Sequence, residues 1–98
     1  MIYSLHPEAE SDLREAAEYY QERAGTALAQ AFFAEFEHSM HLLLKHPLLG
    51  ALWRHGERRL VTRHFPYAII YTVAEQAIQV LAVAHQSRRP GYWRKRKW

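Results

Sequence analysis

The stretch Ala77–Tyr92, AIQVLAVAHQSRRPGY, constrains this chain most. Its first part, Ala77–Ala84, is apolar apart from Gln79, long enough for a buried strand and short for a helix. Side chains alternate across a strand, so Ile78, Val80, Ala82 and Ala84 should share one side and Gln79, Leu81, Val83 and His85 the other. A strand apolar on both sides belongs inside a sheet, covered on each face. It then delivers His85, Gln86, Arg88, Arg89, Tyr92 and Trp93 at its end, where a rigid scaffold presents polar groups to a partner or substrate.

The other segments read as support for that strand. Ile2–Leu5 is a short first strand. Pro7 suits the first position of a helix, and Glu8, Glu10 and Asp12 complement its dipole. Ala9, Leu13, Ala16, Ala17 and Tyr20 make its apolar face. Gly25-Thr26 breaks that helix, with Thr26 placed to cap a second, from about Ala27 to Lys45. Its stripe is Leu28, Phe32, Phe36, Met40 and Leu43, and His46-Pro47 ends it. Leu48–Gly56 reads as a loop, Glu57–Phe65 as a strand with Arg59, Val61, Arg63 and Phe65 on one face, and Tyr67–Val73 as a third strand. Ala74-Glu75-Gln76 then closes a hairpin onto the strand at Ala77. The expected fold is α+β, one domain over residues 1–98 in the order β-α-α-β-β-β. An antiparallel sheet is packed by a helical hairpin, with Ile70, Val80 and Phe32 meeting in its core.

Composition narrows the function. With 4 Phe, 6 Tyr and 3 Trp in 98 residues the chain is globular, and without cysteine it has neither disulfides nor thiol chemistry. No secretory signal follows Met1, and no apolar run reaches the ~20 residues that cross a bilayer. A soluble cytoplasmic protein without membrane contact is therefore expected. The net charge of +3 hides an asymmetry: residues 1–50 hold three Lys/Arg against eight Asp/Glu, and residues 51–98 hold ten against two. A basic half of that kind suits a polyanion or an acidic protein segment, while Arg94–Lys97 alone, within the basic tail 94–98, reads as solubilising.

Four pieces in this order, HPEAESDLREAAEYY, LLLKHPLLG, RRLVTRHFPYAIIYTV and IQVLAVAHQSRRPGYW, resemble the RelE/ParE superfamily of toxins from type II toxin–antitoxin (plasmid stabilisation) modules. The resemblance runs from about Leu5 to Trp93 and implies the same β-α-α-β-β-β fold. It also implies a cognate antitoxin as partner, docking through an acidic segment. RelE-like members cleave mRNA in the ribosome. Their pattern has two lysines alternating on the strand matching Arg58–Phe65, an arginine after the tyrosine opening the next strand, an arginine past the last strand, and a tyrosine near the C-terminus. Here Arg59 stands for the first lysine, but Val61, Ala68 and Gln86 occupy the other cationic positions, and only Tyr92 matches outright. The chain thus sits closer to ParE-like members, which inhibit DNA gyrase by binding. A ribosome-dependent endoribonuclease using Arg59, His85 and Tyr92 is the rival, and a degenerate member that only binds its partner is a third reading.

The partner-binding candidates are Arg58, Arg59, Arg63, Arg88, Arg89 and Tyr92. His85 reads equally as an acid–base group or as a histidine capped at a strand end. Tyr92 can stack on a base, whereas Trp93 reads as packing over the sheet edge. His38 and His41 lie one helical turn apart without a third ligand by spacing, so no metal and no cofactor is expected. A homodimer and a toxin–antitoxin hetero-oligomer are both open at this point.

Overall fold

The computed structural model describes residues 1–98. The chain runs β1 (Ile2–Leu5), α1 (Pro7–Ala24), α2 (Thr26–Lys45), β2 (Ala51–Leu52), a 3₁₀ turn at Arg54–Gly56, β3 (Arg58–Val61), β4 (Tyr67–Ala74) and β5 (Ala77–His85). The strands form one sheet in the order β1-β5-β4-β3-β2, so β5 is interior as its composition requires. Every pairing is antiparallel except β1 with β5, which is parallel and makes the sheet mixed. Strands this far apart in the chain can pair in either direction, and no local signal marks which.

His6 caps α1 through its ring: Nδ1 accepts the Glu8 N–H at 3.0 Å, and Pro7 takes the first turn. Gly25, at φ +89°, is the whole connection between the helices. Thr26 is thereby already helical, and instead of capping α2 its hydroxyl oxygen accepts the Gln21 side-chain amide at 2.9 Å. The hairpin packs one face of the sheet. Its centre is an aromatic group in which the Phe32 ring lies 5.5 Å from Tyr20, 5.3 Å from Phe65 and 5.1 Å from Tyr67.

The strict alternation expected along β5 fails at one residue. Tyr71 pairs with Val80 and Ile70 with Ala82, so Leu81 is an extra residue in a β-bulge. Before the bulge Ile78 and Val80 face the helices; after it Val83 does, while Ala82 and Ala84 join Leu81 on the opposite side. Ile70 belongs to that opposite side, with Ala68, Ala82 and Trp93, and not under Phe32 as its position predicts.

β3 is also shorter than its apolar pattern, ending at Val61. Thr62 closes the turn, its backbone N–H reaching the Tyr67 carbonyl at 2.9 Å and its hydroxyl donating to the Phe65 carbonyl at 2.6 Å. Arg63 therefore lies in a turn. Phe65 packs under the helices, so it does not share the face of Arg59.

Leu48–Gly56, expected as a loop, holds the short strand β2 and the 3₁₀ turn, and its start is pinned from below. The buried Tyr71 hydroxyl donates to the Pro47 carbonyl at 2.7 Å and accepts the Gly50 N–H at 2.9 Å. A Cβ on Gly50 would stand 2.7 Å from that hydroxyl oxygen and 3.1 Å from the Arg59 carbonyl carbon. Gly50→Ala is therefore expected to destabilise by about 1–3 kcal/mol or more, the range of an overpacked core, with Tyr71 displaced. Chemical denaturation checks this; a midpoint equal to wild type would mean that the loop stands away from Tyr71.

Candidate partner interface

β1 stops at Leu5, level with Val80, while β5 runs on to His85. The open edge of β5 beyond that point is closed by side chains in place of a strand. Asp12 of α1 accepts the Val83 N–H at 3.0 Å, and Arg96 donates to the Leu81 carbonyl at 3.0 Å. Arg96 also grips Asp12 through two bonds, 2.7 and 3.0 Å, and reaches Glu8 at 2.9 Å. The Asp12 and Arg96 side chains are only 8% and 12% exposed, so this is an interior ion pair with its polar atoms satisfied. The Tyr92 hydroxyl completes the set by donating to Asp12 at 3.1 Å.

The C-terminal tail is thus docked, contrary to the solubilising reading. Trp93 is buried, its indole N–H bonded to Glu57 at 2.9 Å and its ring 5.3 Å from Trp53. The Lys97 carbonyl is 2.8 Å from the His6 Nε2, and Trp98 stands edge-on to the same imidazole. Only the side chains of Arg94, Lys95 and Lys97 match the solvated picture.

Between α1, β5 and this tail lies a cavity of about 400 Å³ bordered by Asp12, Tyr19, Tyr67, His85, Arg88 and Tyr92. The His85 Nδ1 accepts the Ser87 N–H at 2.9 Å, the geometry of a histidine capping a strand end. Arg88 lies 4.0 Å over the Tyr92 ring. Burial, with the Asp12 charge beside it, pushes the Tyr92 hydroxyl up to about 12. Burial likewise pushes Tyr67 to about 12, with Tyr20 alongside adding to the shift.

The other face of the sheet carries a separate recess of about 300 Å³. Arg59, Ala68 and Gln86 meet there, walled by Trp53, Ile70 and Trp93. Three of the positions singled out in sequence therefore converge, but Val61 lines a groove between α2 and β3 with Arg63, and Tyr92 belongs to the helix side. Arg59 is the one arginine or lysine bordering the recess. Arg58 is engaged in holding the chain, donating to the Leu48 carbonyl at 3.2 Å and the Gly50 carbonyl at 2.9 Å. Arg89 is exposed in the turn after β5. His38 and His41 are exposed on α2, and no group of three metal-ligating side chains occurs.

Of two acids that organise the fold here, Asp12 reads in sequence only as a helix charge and Glu35 does not stand out. Asp12 lies three residues after Ala9 and four before Ala16, on the buried stripe of α1, where a carboxylate needs partners. That placement was the available signal. Glu35 falls likewise between Phe32 and Phe36 and accepts the N–H groups of His64 and Phe65 at 2.8 and 3.2 Å. Burial would raise its pKa, but those bonds and the contact with the His64 ring outweigh it and hold the carboxylate below the usual range.

A hairpin of helices on one face of a mixed five-stranded sheet, with its polar groups tied into each other, defines a small α+β scaffold that presents surfaces. The family described as "ParE toxin of type II toxin-antitoxin system, parDE" matches residues 3–90, and the chain belongs to it. Among solved structures, a chain of the "Chromosomal ParDE TA system from P. aeruginosa" superposes with a TM-score of 0.77 at 20% identity, covering 87% of this chain and 95% of its own. No curated protein matches. The match ends at residue 90, before the docked tail Gly91–Trp98.

Proposed function

We propose that this chain is the toxin half of a toxin–antitoxin pair, that it inhibits DNA gyrase by contact, and that an acidic antitoxin segment neutralises it. The observation that carries the choice of binding over RNA cleavage is the recess of Arg59, Ala68 and Gln86. Metal-free cleavage of RNA needs a group to activate the ribose 2′-OH, charge to stabilise the phosphate, and an acid for the leaving oxygen. A tryptophan-walled hollow with one arginine supplies little of this. The one matching tyrosine, Tyr92, has its hydroxyl bound to Asp12 on the helix side. The basic second half favours an acidic antitoxin segment. An intracellular target is in keeping with a chain in which no helix is long and apolar enough to cross a membrane.

The test compares supercoiling by purified gyrase with mRNA integrity on translating ribosomes, each with the purified chain added. Inhibited supercoiling and intact mRNA are expected. Tyr92→Phe should keep its growth arrest, losing about 1.5–3 kcal/mol of fold stability with one hydrogen bond to a charged carboxylate. Cut mRNA, together with loss of toxicity in Tyr92→Phe, would overturn the gyrase reading in favour of the ribonuclease. No effect in either assay would leave a member that only binds its partner. Truncation after Ser87 is unsuitable as a probe, since it removes Trp93 and Arg96 from the core contacts.

A further inference from the structure

The segment after α2 shows three leucines to solvent within five residues: Leu48 is 65% exposed, Leu49 50% and Leu52 66%. Scattered exposed leucines are ordinary, but a cluster held in place is a contact surface. This cluster is held. Tyr71 ties Pro47 and Gly50 from beneath, and the Arg58 guanidinium bonds the Leu48 and Gly50 carbonyls. Leu52 closes the sheet in β2, whose outer edge has no neighbouring strand. The backbone is fixed so that the leucines point away from the core, which lowers the ordering cost of binding.

Charge decides what fits. The exposed ionic side chains bordering the cluster are Lys45, Arg54 and Arg59, and residues 45–56 contain no acid. The next acid, Glu57, is buried against the Trp93 indole and offers no negative charge to a partner. An apolar centre with a purely cationic rim matches a segment that is apolar on one side and acidic on the other. We infer that the Leu48–Leu52 surface is the docking site for the acidic segment of the antitoxin. This rests on the toxin–antitoxin reading above and assigns the contact to this surface, away from the helical hairpin.

The test uses the full chain and the protein encoded by the adjacent open reading frame, with affinity measured by titration calorimetry at low and high salt. Changing Leu48, Leu49 and Leu52 together to Ser should weaken binding by about 30-fold or more, the loss of a small anchor cluster. Arg54→Glu with Arg59→Glu should weaken it too, mostly at low salt. Val73→Ser, an exposed apolar change at the far end of β4, should bind like wild type with an unchanged circular dichroism spectrum. Full affinity in the folded leucine variant would overturn the assignment while leaving the pairing intact. Absence of binding by the wild-type chain would overturn the pairing itself and the assignment with it. A wild-type dimer in sedimentation that becomes monomeric in the leucine variant would mean that a second copy occupies this surface instead.

Discussion

Asp12→Ala is expected to cost about 3–5 kcal/mol of stability, the range for removing one partner of a buried ion pair. Four bonds end on this carboxylate: the Val83 N–H, the Tyr92 hydroxyl and two from Arg96. Its loss leaves the Arg96 charge with Glu8, the Leu81 carbonyl and the face of the Tyr92 ring, and strips the edge of β5 of an acceptor. The tail should therefore loosen before the domain unfolds, because Arg96 and Tyr92 are its anchors on this side. Trypsin sites at Arg94–Lys97 should become cleavable under native conditions, while the Trp53–Trp93 contact holds the preceding turn. Arg96→Ala should reproduce the loosening, and the double variant should cost clearly less than the two single changes added together, since both remove one interaction. An Asp12→Ala protein that unfolds at the wild-type denaturant concentration, with its tail still protected, would show that the clamp is not what closes the edge.

The clamp also marks where sequence reading stops. The interior place of β5, the helical hairpin and the basic half follow from composition along the chain, because each depends on residues close together. The Asp12–Arg96 pair joins positions 84 apart, and nothing near either residue names the other. The bulge at Leu81 is a choice of one residue in register, and an apolar run fits either register equally well, so the side that Val83 faces was not readable. The parallel pairing of β1 has the same cause. At the site, Arg59, Ala68 and Gln86, which the resemblance singles out one by one, line one recess. The resemblance could not place Tyr92, whose direction depends on the carboxylate of Asp12 and on the turn after β5. Arg58 read as a partner contact because its two carbonyl acceptors are backbone atoms, invisible in a side-chain pattern.

The two faces of β4 have an energetic consequence that separates two packings of the core. Phe32→Ala should cost about 3–5 kcal/mol, the range for emptying a buried aromatic site, out of the roughly 5–15 kcal/mol that a domain of this size commands. Which partners lose contact is the sharper question. Alternation along β4 puts Tyr67, Ile69 and Tyr71 on the helix side, where Val80 also lies, and Ile70 behind the sheet with Trp93. A double-mutant cycle reads the difference. Phe32→Leu with Tyr67→Leu should show a coupling of about 0.5–3 kcal/mol, as rings 5.1 Å apart share their surroundings. Phe32→Leu with Ile70→Val should add to within about 0.5 kcal/mol, because the sheet lies between them. The milder Leu replacement keeps each protein folded enough for two-state analysis. Coupling as strong at Ile70 as at Tyr67 would place both under the helices, and would break the alternation along β4 that divides the core between the two faces of the sheet.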